Sequence, residues 1–477
     1  MKKILIYHWV QDNFPRQIGG GIQYYQKNQI EFLKKRTDLS IYILSSGRNY
    51  NPLNPSVRIV PLPEKEEKNI SRFDLINSGI PAPAANNFGN IFALHHESTF
   101  QVFKKFLQKY GPFDVIHFHH LEGIPASVLT LKKDFPFTKF IFSMHDYYIF
   151  CPQLNFFYKD SELCFDNQSG EKCLGCRQTN KNYENKMIWT IVDKIGLNPK
   201  GTFGKYLFNS GFLQDVFSSF NFRESNRTWK PEDIFREWKQ FTALINENID
   251  QVLAVSERVR TIAIEKGIDP NKIHTLPNPI PEANKFDEVP PKKGPIVSNG
   301  LCTMVFLGYM NHVKGFYFLL DAFERMPEFL SRKINLVIPA RKTHDPETIN
   351  RLEKLRQKLN SLILHDGYKQ TELDQILENC DVGLLCHIWE DNAPMTVREL
   401  HVRRIPFLTS HLGGTQEISN CEKMVFEAGN VKDFLKKVQM ILDGEITHEE
   451  YWKNSFRVPS LEEHFEELLK GHYFNDI

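Results

Sequence analysis

The sequence lacks an excess of charge of either sign and lacks long apolar runs. Its 59 Lys plus Arg almost cancel its 58 Asp plus Glu, which argues against a nucleic-acid binder held by phosphate neutralisation. No stretch approaches the ~18 uncharged apolar residues of a spanning helix, and the apolar run at Met1–Tyr7 is too short for a signal peptide. We therefore expect a cytoplasmic protein whose anion sites are local, and peripheral contact with the inner face of the membrane stays open.

Cysteine is also scarce, with eight residues in 477, so a disulfide framework is not expected in such a chain. Four cysteines lie close together in sequence, at Cys151, Cys164, Cys173 and Cys176. The last two form a Cys-x2-Cys pair, whose spacing suits one tetrahedral ion. We weigh a structural Zn²⁺ at these four residues equally against a metal-free cluster. The cysteines at 302, 380, 386 and 421 are expected to be small core residues.

Short continuous apolar runs alternate with amphipathic segments of helical length along most of the chain, which predicts two doubly wound α/β domains with parallel sheets. In the N-terminal half the runs are Lys3–Tyr7, Ile41–Leu44, Val57–Val60, Val115–Phe118, Lys139–Ser143, Gln251–Val255 and Lys272–Leu276. In the C-terminal half they are Thr303–Leu307, Ile334–Ile338, Leu362–His365, Val382–Cys386, Pro406–Thr409 and Met424–Phe426.

Three interruptions divide the chain. An aromatic, cysteine-containing stretch at about 147–248 has no clean series of strands and is interpreted as an insertion, and the proline-rich Pro277–Val297 is interpreted as a linker. Ser460 and Glu463 form a capping-box pattern at a last helix. We expect an N-terminal domain over 1–285, a C-terminal domain over 296–455, and a helix within 456–477 that packs back on the N-terminal domain.

The segment from Glu390 to Glu399 carries the clearest chemical signal. It joins a buried strand to an amphipathic helix that Asp391 or Asn392 is expected to cap, with Pro394 in the first turn. The N–H groups of such a helix start form a site for a diphosphate. Asp391 and Glu399 flank it, and ionised carboxylates accept hydrogen bonds from sugar hydroxyls.

At these residues the chain resembles family 4 of the retaining glycosyltransferases, also known as group 1 glycosyltransferases, which have the two-domain GT-B fold. The family has two acidic residues separated by seven others, and here they are Asp391 and Glu399, with Asp in place of the usual first Glu. Lys314 matches the family's diphosphate-binding Lys, whereas Tyr309, after Gly308, stands where the family has Arg.

Further matches to the family lie in both halves. Gly20 and Gly21 resemble an early loop that approaches the ligands, and His145 resembles the histidine that contacts the transferred sugar. Nearby, His117 and His119 alternate along a strand, so one of them is expected to pack inward. The resemblance implies that Asn392, Met395, Thr396 and Val397 belong to the donor site.

The resemblance implies that a sugar moves from a nucleotide-diphosphate sugar to a glycan or lipid-linked acceptor, in surface polysaccharide biosynthesis. Lys314 and the helix start would stabilise the leaving diphosphate without a catalytic metal, while Asp391 would hold the sugar, Glu399 the ribose and His145 the far side of the sugar. Two alternatives stay open. One is a sugar-nucleotide epimerase, and the other is a catalytically silent relative that binds nucleotide or partners a true transferase, as the substitutions at Tyr309 and Asp391 suggest.

Overall fold

The architecture was analysed in a computed structural model. The structure describes residues 1–10, 20–51, 54–63, 69–80, 82, 93–151, 153–159, 161–166, 168–176, 230–298 and 300–474. Among these residues, no helix is both long and apolar enough to cross a membrane.

The N-terminal half contains an eight-stranded sheet and a small hairpin. Its strands are β1 (Lys2–Tyr7), β2 (Leu39–Ser46), β3 (Arg58–Pro61), β4 (Ile70–Ile76), β5 (Val115–Phe118), β6 (Lys139–Met144), β7 (Phe157–Tyr158), β8 (Glu162–Leu163), β9 (Gln251–Ala254) and β10 (Ile273–Thr275). The sheet order is β10-β9-β6-β5-β1-β2-β4-β3, and β7 pairs with β8 in the hairpin. All sheet pairs are parallel except β3 with β4.

Helices cover both faces of this sheet and account for the continuous apolar strands. They are α1 (Gly20–Leu33), α2 (Glu97–Tyr110), α3 (Glu171–Cys176), α4 (Pro231–Asn248) and α5 (Glu257–Glu265), with 3-10 segments at Ala126–Lys133 and Gln168–Gly170. One core contains Phe103 of α2 together with Phe241 and Ile245 of α4. The other lies under α1. Burial on both faces is the reason that these strands lack polar alternation.

The C-terminal half forms a six-stranded parallel sheet in the order β13-β12-β11-β14-β15-β16. Its strands are β11 (Cys302–Val305), β12 (Ile334–Ile338), β13 (Ser361–Leu364), β14 (Val382–Leu385), β15 (Phe407–Ser410) and β16 (Val425–Phe426). The helices of this half and its flanks are α6 (Lys285–Glu288), α7 (Phe316–Arg325), α8 (Glu328–Ser331), α9 (Pro346–Lys358), α10 (Leu373–Leu377), α11 (Met395–Val402), α12 (Gln416–Ser419), α13 (Val431–Leu442), α14 (His448–Trp452) and α15 (Leu461–Glu467). The 3-10 segments are Gln370–Glu372 and Glu422–Met424, and a π-helical turn spans Leu468–Tyr473.

The linker and the C-terminal segment, which connect the two halves, both pack against defined partners. The proline-rich linker contains α6 and contributes Ile280 and Phe286 to the core of the second sheet. The C-terminal segment crosses back to the first sheet, where Phe465 is fully buried under α1. Arg36 of the N-terminal half bonds to Glu466 there at 2.7 Å. Residues 475–477 of the expected returning segment lie outside the described residues.

The stretch interpreted as an insertion has two described parts. The first holds the β7–β8 hairpin and α3, and the second is α4, which buries Ile245 in the core of the first sheet. Residues 177–229 of the stretch lie outside the described part of the chain. The capping box at Ser460 forms as the sequence predicts: Glu463 N–H donates to Ser460 Oγ at 3.2 Å, and Ser460 N–H donates to Glu463 at 2.7 Å.

Candidate active site

A cleft of about 910 Å³ lies between the two sheets. Residues of both halves line it, and most of the residues singled out in the sequence are among them: Gly21, His145, Gly308, Tyr309, Lys314, Asp391, Asn392, Met395, Thr396 and Glu399. Gly20 begins α1 next to Gly21. The Val397 side chain is fully buried in the second core, so it supports the cleft wall from behind.

Helix α11 begins at the floor of the cleft without a side-chain cap. Its N-cap residue is Pro394, in extended backbone conformation, so the expectation that Asp391 or Asn392 caps this helix was wrong. Both side chains have tertiary partners instead: Asp391 binds Lys314, and Asn392 Nδ2 donates to the backbone oxygen of His145 at 2.8 Å. Among the residues that the structure describes, no side chain therefore caps the N–H groups at this helix start.

Lys314 and Asp391 form an ion pair in the cleft, with Nζ 2.5 Å from Oδ2. The Lys314 ammonium also lies 5.5 Å from the centre of the Trp389 ring. Gly315 follows in a left-handed conformation with φ 74°, and a Cβ there would overlap the carbonyl group of Cys386. This close approach brings the Lys314 loop against the end of β14 and places the ammonium over Asp391.

A second set of contacts holds the backbone around Asp391. The N–H of Gly414 donates to the Asp391 oxygen at 3.0 Å, and the N–H of Gly413 donates to Glu390 at 2.8 Å. Gly413 has φ 69°, and a Cβ there would collide with the Asp391 backbone. The fully buried Glu390 carboxylate also accepts two hydrogen bonds from Arg258, at 2.6 and 3.0 Å. Glu390 thus joins the Asp391 loop to α5 of the other half.

Glu399 lies one turn into α11, on the side that faces the cleft. The Tyr368 hydroxyl donates to its Oε2 at 3.4 Å. Burial raises the pKa of the Glu399 carboxyl above its ordinary value, although a hydrogen bond from Gln370 and the charge of Arg403 oppose this. The carboxylate is thus partly desolvated and available as an acceptor for ligand hydroxyls.

Arg398 is a buried residue of the site that the sequence analysis did not single out. Its Nε donates to the Asn278 oxygen and its Nη1 to the Ala393 oxygen, each at 2.9 Å. Burial lowers the pKa of the guanidinium to about 10, so it stays charged at neutral pH. It connects the linker to the backbone that precedes α11.

The opposite wall of the cleft is built from neutral aromatic and imidazole groups. His145 Nε2 lies 2.9 Å from His119 Nδ1, and the Tyr25 ring centre lies 5.2 Å from that of His145. Burial, together with neighbouring histidines, lowers the pKa of His145 and His119 well below the ordinary value. Both imidazoles are therefore neutral at pH 7. His117 and His119 are both fully buried, so the expectation that only one of them packs inward was wrong, because residues two apart lie on the same face of a strand.

The four clustered cysteines are neighbours but do not form a compact ligand set. Burial, together with the nearby thiols of Cys151, Cys164 and Cys176, raises the pKa of Cys173. In a tetrahedral zinc site the sulfur atoms would be about 3.8 Å apart, given Zn–S bonds of about 2.3 Å. No three of these described thiols lie within 4.8 Å of one another. They would have to draw together to hold Zn²⁺, and the zinc site stays a prediction. The other four cysteines are buried in the second domain, as expected.

The described residues do contain one compact group of possible metal ligands, namely His120, Glu122 and Asp146. His120 Nδ1 lies 3.0 Å from Asp146 and 3.3 Å from Glu122. Burial lowers the pKa of His120, but Asp146 and Glu122 outweigh it, so that the pKa is raised. The arrangement fits an imidazolium held between two carboxylates.

The comparisons with known proteins bear on the half that carries Lys314, Asp391 and Glu399. Residues 294–458 match the family model of glycosyl transferases, group 1. The C-terminal half is a group 1 glycosyltransferase domain. The matched residues include Lys314, Asp391 and Glu399, which form the charged wall of the cleft. No curated protein matches the chain by sequence.

Solved structures similar to the whole chain share its architecture at low identity. The lipopolysaccharide outer core galactosyltransferase WaaB has a TM-score of 0.56 at 13% identity, with 100% of each chain covered. A glycosyltransferase from Rickettsia africae has a TM-score of 0.55 at 13% identity, covering 99% of this chain and 98% of that one. Anabaena HepE, solved with UDP, has a TM-score of 0.52 at 10% identity, with 99% of each chain covered. These likenesses show that the group 1 domain and its N-terminal partner form a GT-B fold.

Proposed function

We propose that the protein is a retaining glycosyltransferase that moves a sugar from a nucleotide-diphosphate sugar to a glycan or lipid-linked acceptor in surface polysaccharide biosynthesis. The observation that carries the proposal is the placement of Lys314, Asp391 and Glu399 around the uncapped start of α11. The family match of this domain supports a nucleotide-sugar donor, and so do the UDP in the HepE structure and the UDP-2-fluoro glucose in another structure of the same fold.

In this proposal the diphosphate lies between Lys314 and the N–H groups at the start of α11. The leaving diphosphate gains negative charge as the bond to the sugar breaks, and preorganised positive groups stabilise that charge. Lys314 is held by Asp391 at 2.5 Å, so the ammonium is already in position before a ligand arrives. The step needs no metal ion, because the lysine and the helix start supply the positive charge.

The carboxylates bind the hydroxyl groups of the donor. Asp391 would accept hydrogen bonds from the sugar and Glu399 from the ribose, while His145 would contact the sugar from the opposite wall. These assignments are supported by the order of the groups along the cleft, since α11 carries Glu399 one turn beyond the diphosphate position.

Transfer with retention is proposed to occur on one face of the sugar. The bond from the anomeric carbon to the phosphate oxygen breaks, the acceptor oxygen forms the new bond on the same face, and the acceptor proton passes to the leaving phosphate. In this proposal the carboxylates of Asp391 and Glu399 bind hydroxyl groups of the ligand, and neither of them acts as a covalent nucleophile. The fold likeness to WaaB, a lipopolysaccharide galactosyltransferase, supports a surface-glycan acceptor.

The proposal is tested by a thermal-shift screen of nucleotide sugars followed by assays with candidate acceptors. A donor that binds the folded state must raise the unfolding temperature. We expect one donor to do so and to release nucleoside diphosphate only with an acceptor, and the new linkage to keep the anomeric configuration of the donor. Binding without release across the panel would instead favour the silent relative, and conversion of the sugar without an acceptor would favour the epimerase.

A further inference from the structure

A chain of buried hydrogen bonds runs from the C-terminal segment to the cleft. Tyr473 lies in the last described turn, and its hydroxyl is 3.0 Å from Nε2 of Gln29 on α1. The Gln29 Oε1 atom is 2.9 Å from His119 Nε2, and His119 Nδ1 is 2.9 Å from His145 Nε2. Gln29 and His119 are fully buried and Tyr473 is nearly so, whereas His145 lines the cleft.

The same chain continues from Tyr473 into the sheet. The Tyr473 hydroxyl lies 2.6 Å from His117 Nδ1, and His117 Nε2 lies 2.8 Å from the Ser143 hydroxyl. Burial lowers the pKa of His117 to about 3, so this imidazole is also neutral at pH 7. Each neutral imidazole in the chain donates from one nitrogen and accepts at the other.

Gln29 gives the chain a direction, because its amide accepts at Oε1 and donates from Nε2. His119 must therefore carry its proton on Nε2 in order to donate to Gln29, which leaves Nδ1 as an acceptor. His145 must then donate from Nε2. On the other side, Tyr473 accepts from Gln29 and donates to His117 Nδ1. With the Gln29 amide in this orientation, each link has one donor and one acceptor when all of them point this way.

We propose that this chain sets the tautomer of His145, so that the imidazole donates from Nε2 to His119 and offers an unprotonated Nδ1 as an acceptor for a hydroxyl group in the cleft. Gln29, His119 and Tyr473 are positioning residues in this scheme. Only the identity of that hydroxyl as part of a donor sugar rests on the function proposed above, since the tautomer is a property of the free protein.

A second contact from the C-terminal segment orients the same wall. The Tyr25 hydroxyl lies 2.7 Å from His464 Nε2, and the Tyr25 ring contacts both His145 and His119. Tyr25 restricts the plane of the His145 ring, while the chain through Gln29 selects which nitrogen holds the proton. Two polar groups of the returning segment thus act on one histidine of the cleft.

The test is nitrogen NMR of the free protein at pH 7 with ¹⁵N-labelled histidine, in which the His145 signals are identified by their loss in His145→Gln. We expect wild type to show one His145 tautomer, protonated at Nε2. In Gln29→Leu the chain has no amide to direct it, so a second set of His145 signals from the Nδ1–H tautomer should appear. Tyr473→Phe, which keeps the ring packing, should give the same mixture and serves if Gln29→Leu does not fold.

Tyr451→Phe is the matched control, because Tyr451 is also a buried tyrosine, and its hydroxyl accepts a hydrogen bond from the Phe407 N–H in the other domain. It should leave the His145 signals unchanged. A wild-type His145 protonated at Nδ1, or a single unchanged tautomer in folded Gln29→Leu and Tyr473→Phe, would overturn the proposal. Because no donor is present, these outcomes are independent of whether the protein transfers sugar.

Discussion

Both walls of the cleft lie at the edge of a parallel sheet, but one wall carries charged side chains and the other carries neutral ones. The wall from the second sheet carries Lys314, Asp391 and Glu399. An ion pair joins Lys314 to Asp391, and the buried Arg398 guanidinium binds the backbone before α11. The wall from the first sheet carries His145 and Tyr25, which are held by hydrogen bonds between neutral groups. The charged wall can bind a diphosphate through its lysine and hydroxyl groups through its carboxylates, whereas the neutral wall can bind a hydroxyl group only through uncharged donors and acceptors.

Removing the central cation of the charged wall should have the largest effect. In Lys314→Met we expect sugar transfer to fall about 10²–10³-fold, as for the loss of one preorganised group that stabilises developing charge. The measurement is kcat with saturating donor. Lys354→Met, at an exposed position of α9, is the matched control and should keep full activity. If Lys314→Met also kept it, Lys314 would have no role in the leaving step.

Breaking the support of the charged wall should cost stability. Arg398→Leu removes the donors to the Asn278 and Ala393 oxygens and should lower the free energy of unfolding by about 3 kcal/mol. Denaturant unfolding followed by fluorescence measures it. Arg325→Leu, at an exposed position near the end of α7, controls for loss of a charge. Equal stabilities of the two variants would contradict the structural role of Arg398.

The charged wall should also respond to acid through Glu399. Donor hydroxyls bind the ionised carboxylate, and burial raises the Glu399 pKa above its ordinary value. Donor affinity should therefore be constant at neutral pH and fall about tenfold per pH unit below that raised pKa. Calorimetric titration at several pH values measures this. Glu399→Gln should bind more weakly and lose this pH dependence, and an unchanged profile in the variant would assign the titration to another group.

The neutral wall should respond to acid through folding rather than through donor binding. Burial lowers the pKa of His464 to about 3, so below the ordinary value near 6.5 the unfolded chain binds a proton that the folded chain does not. Stability should fall as the pH drops from 6.5 towards 3, by about 1.4 kcal/mol per pH unit for such a histidine. Urea midpoints at pH 7 and 5 are compared for wild type and His464→Gln. The difference between the two proteins gives the loss of stability that is due to His464, which should be absent in the variant.

The smallest effect should come from the cap of the returning segment. Ser460→Ala removes the Ser460 half of the capping box and should lower the stability of α15 by about 1 kcal/mol. Hydrogen exchange of the α15 amides should be faster, while exchange in α13 should be unchanged. Equal protection of α15 in both proteins would show that its packing under α1, and not its cap, sets its stability.

Much of the scaffold could be predicted from periodicity alone. Strands β5 and β12 have the predicted bounds, because their apolar residues are continuous. Strand β4 was missed, since Ser71, Arg72 and Asp74 interrupt its apolar pattern. Asp74 is buried but accepts hydrogen bonds from Ser45 at 3.0 Å and Asn49 at 2.5 Å. Those partners come from another part of the chain, which a local pattern does not reveal.

The candidate site was predictable where a motif carries it and not where distant residues complete it. The motif indicated Lys314, Asp391 and Glu399, all of which line the cleft. The cap was mispredicted because Asp391 and Asn392 have partners far away in sequence, at Lys314 and His145. Arg398 and Gln29 gave no signal, since an arginine or a glutamine on an amphipathic helix ordinarily faces solvent.

The bond between Gln29 and Tyr473 joins residues 444 positions apart. During synthesis the strands of the first sheet can pair long before Tyr473 has been made, because domains generally fold in order as the chain emerges from the ribosome. The histidine wall, however, stays incomplete until the segment carrying His464 and Tyr473 has emerged and docked under α1. A nascent chain can therefore hold both sheets and still lack an oriented His145, so competence of the site depends on completing translation through Tyr473.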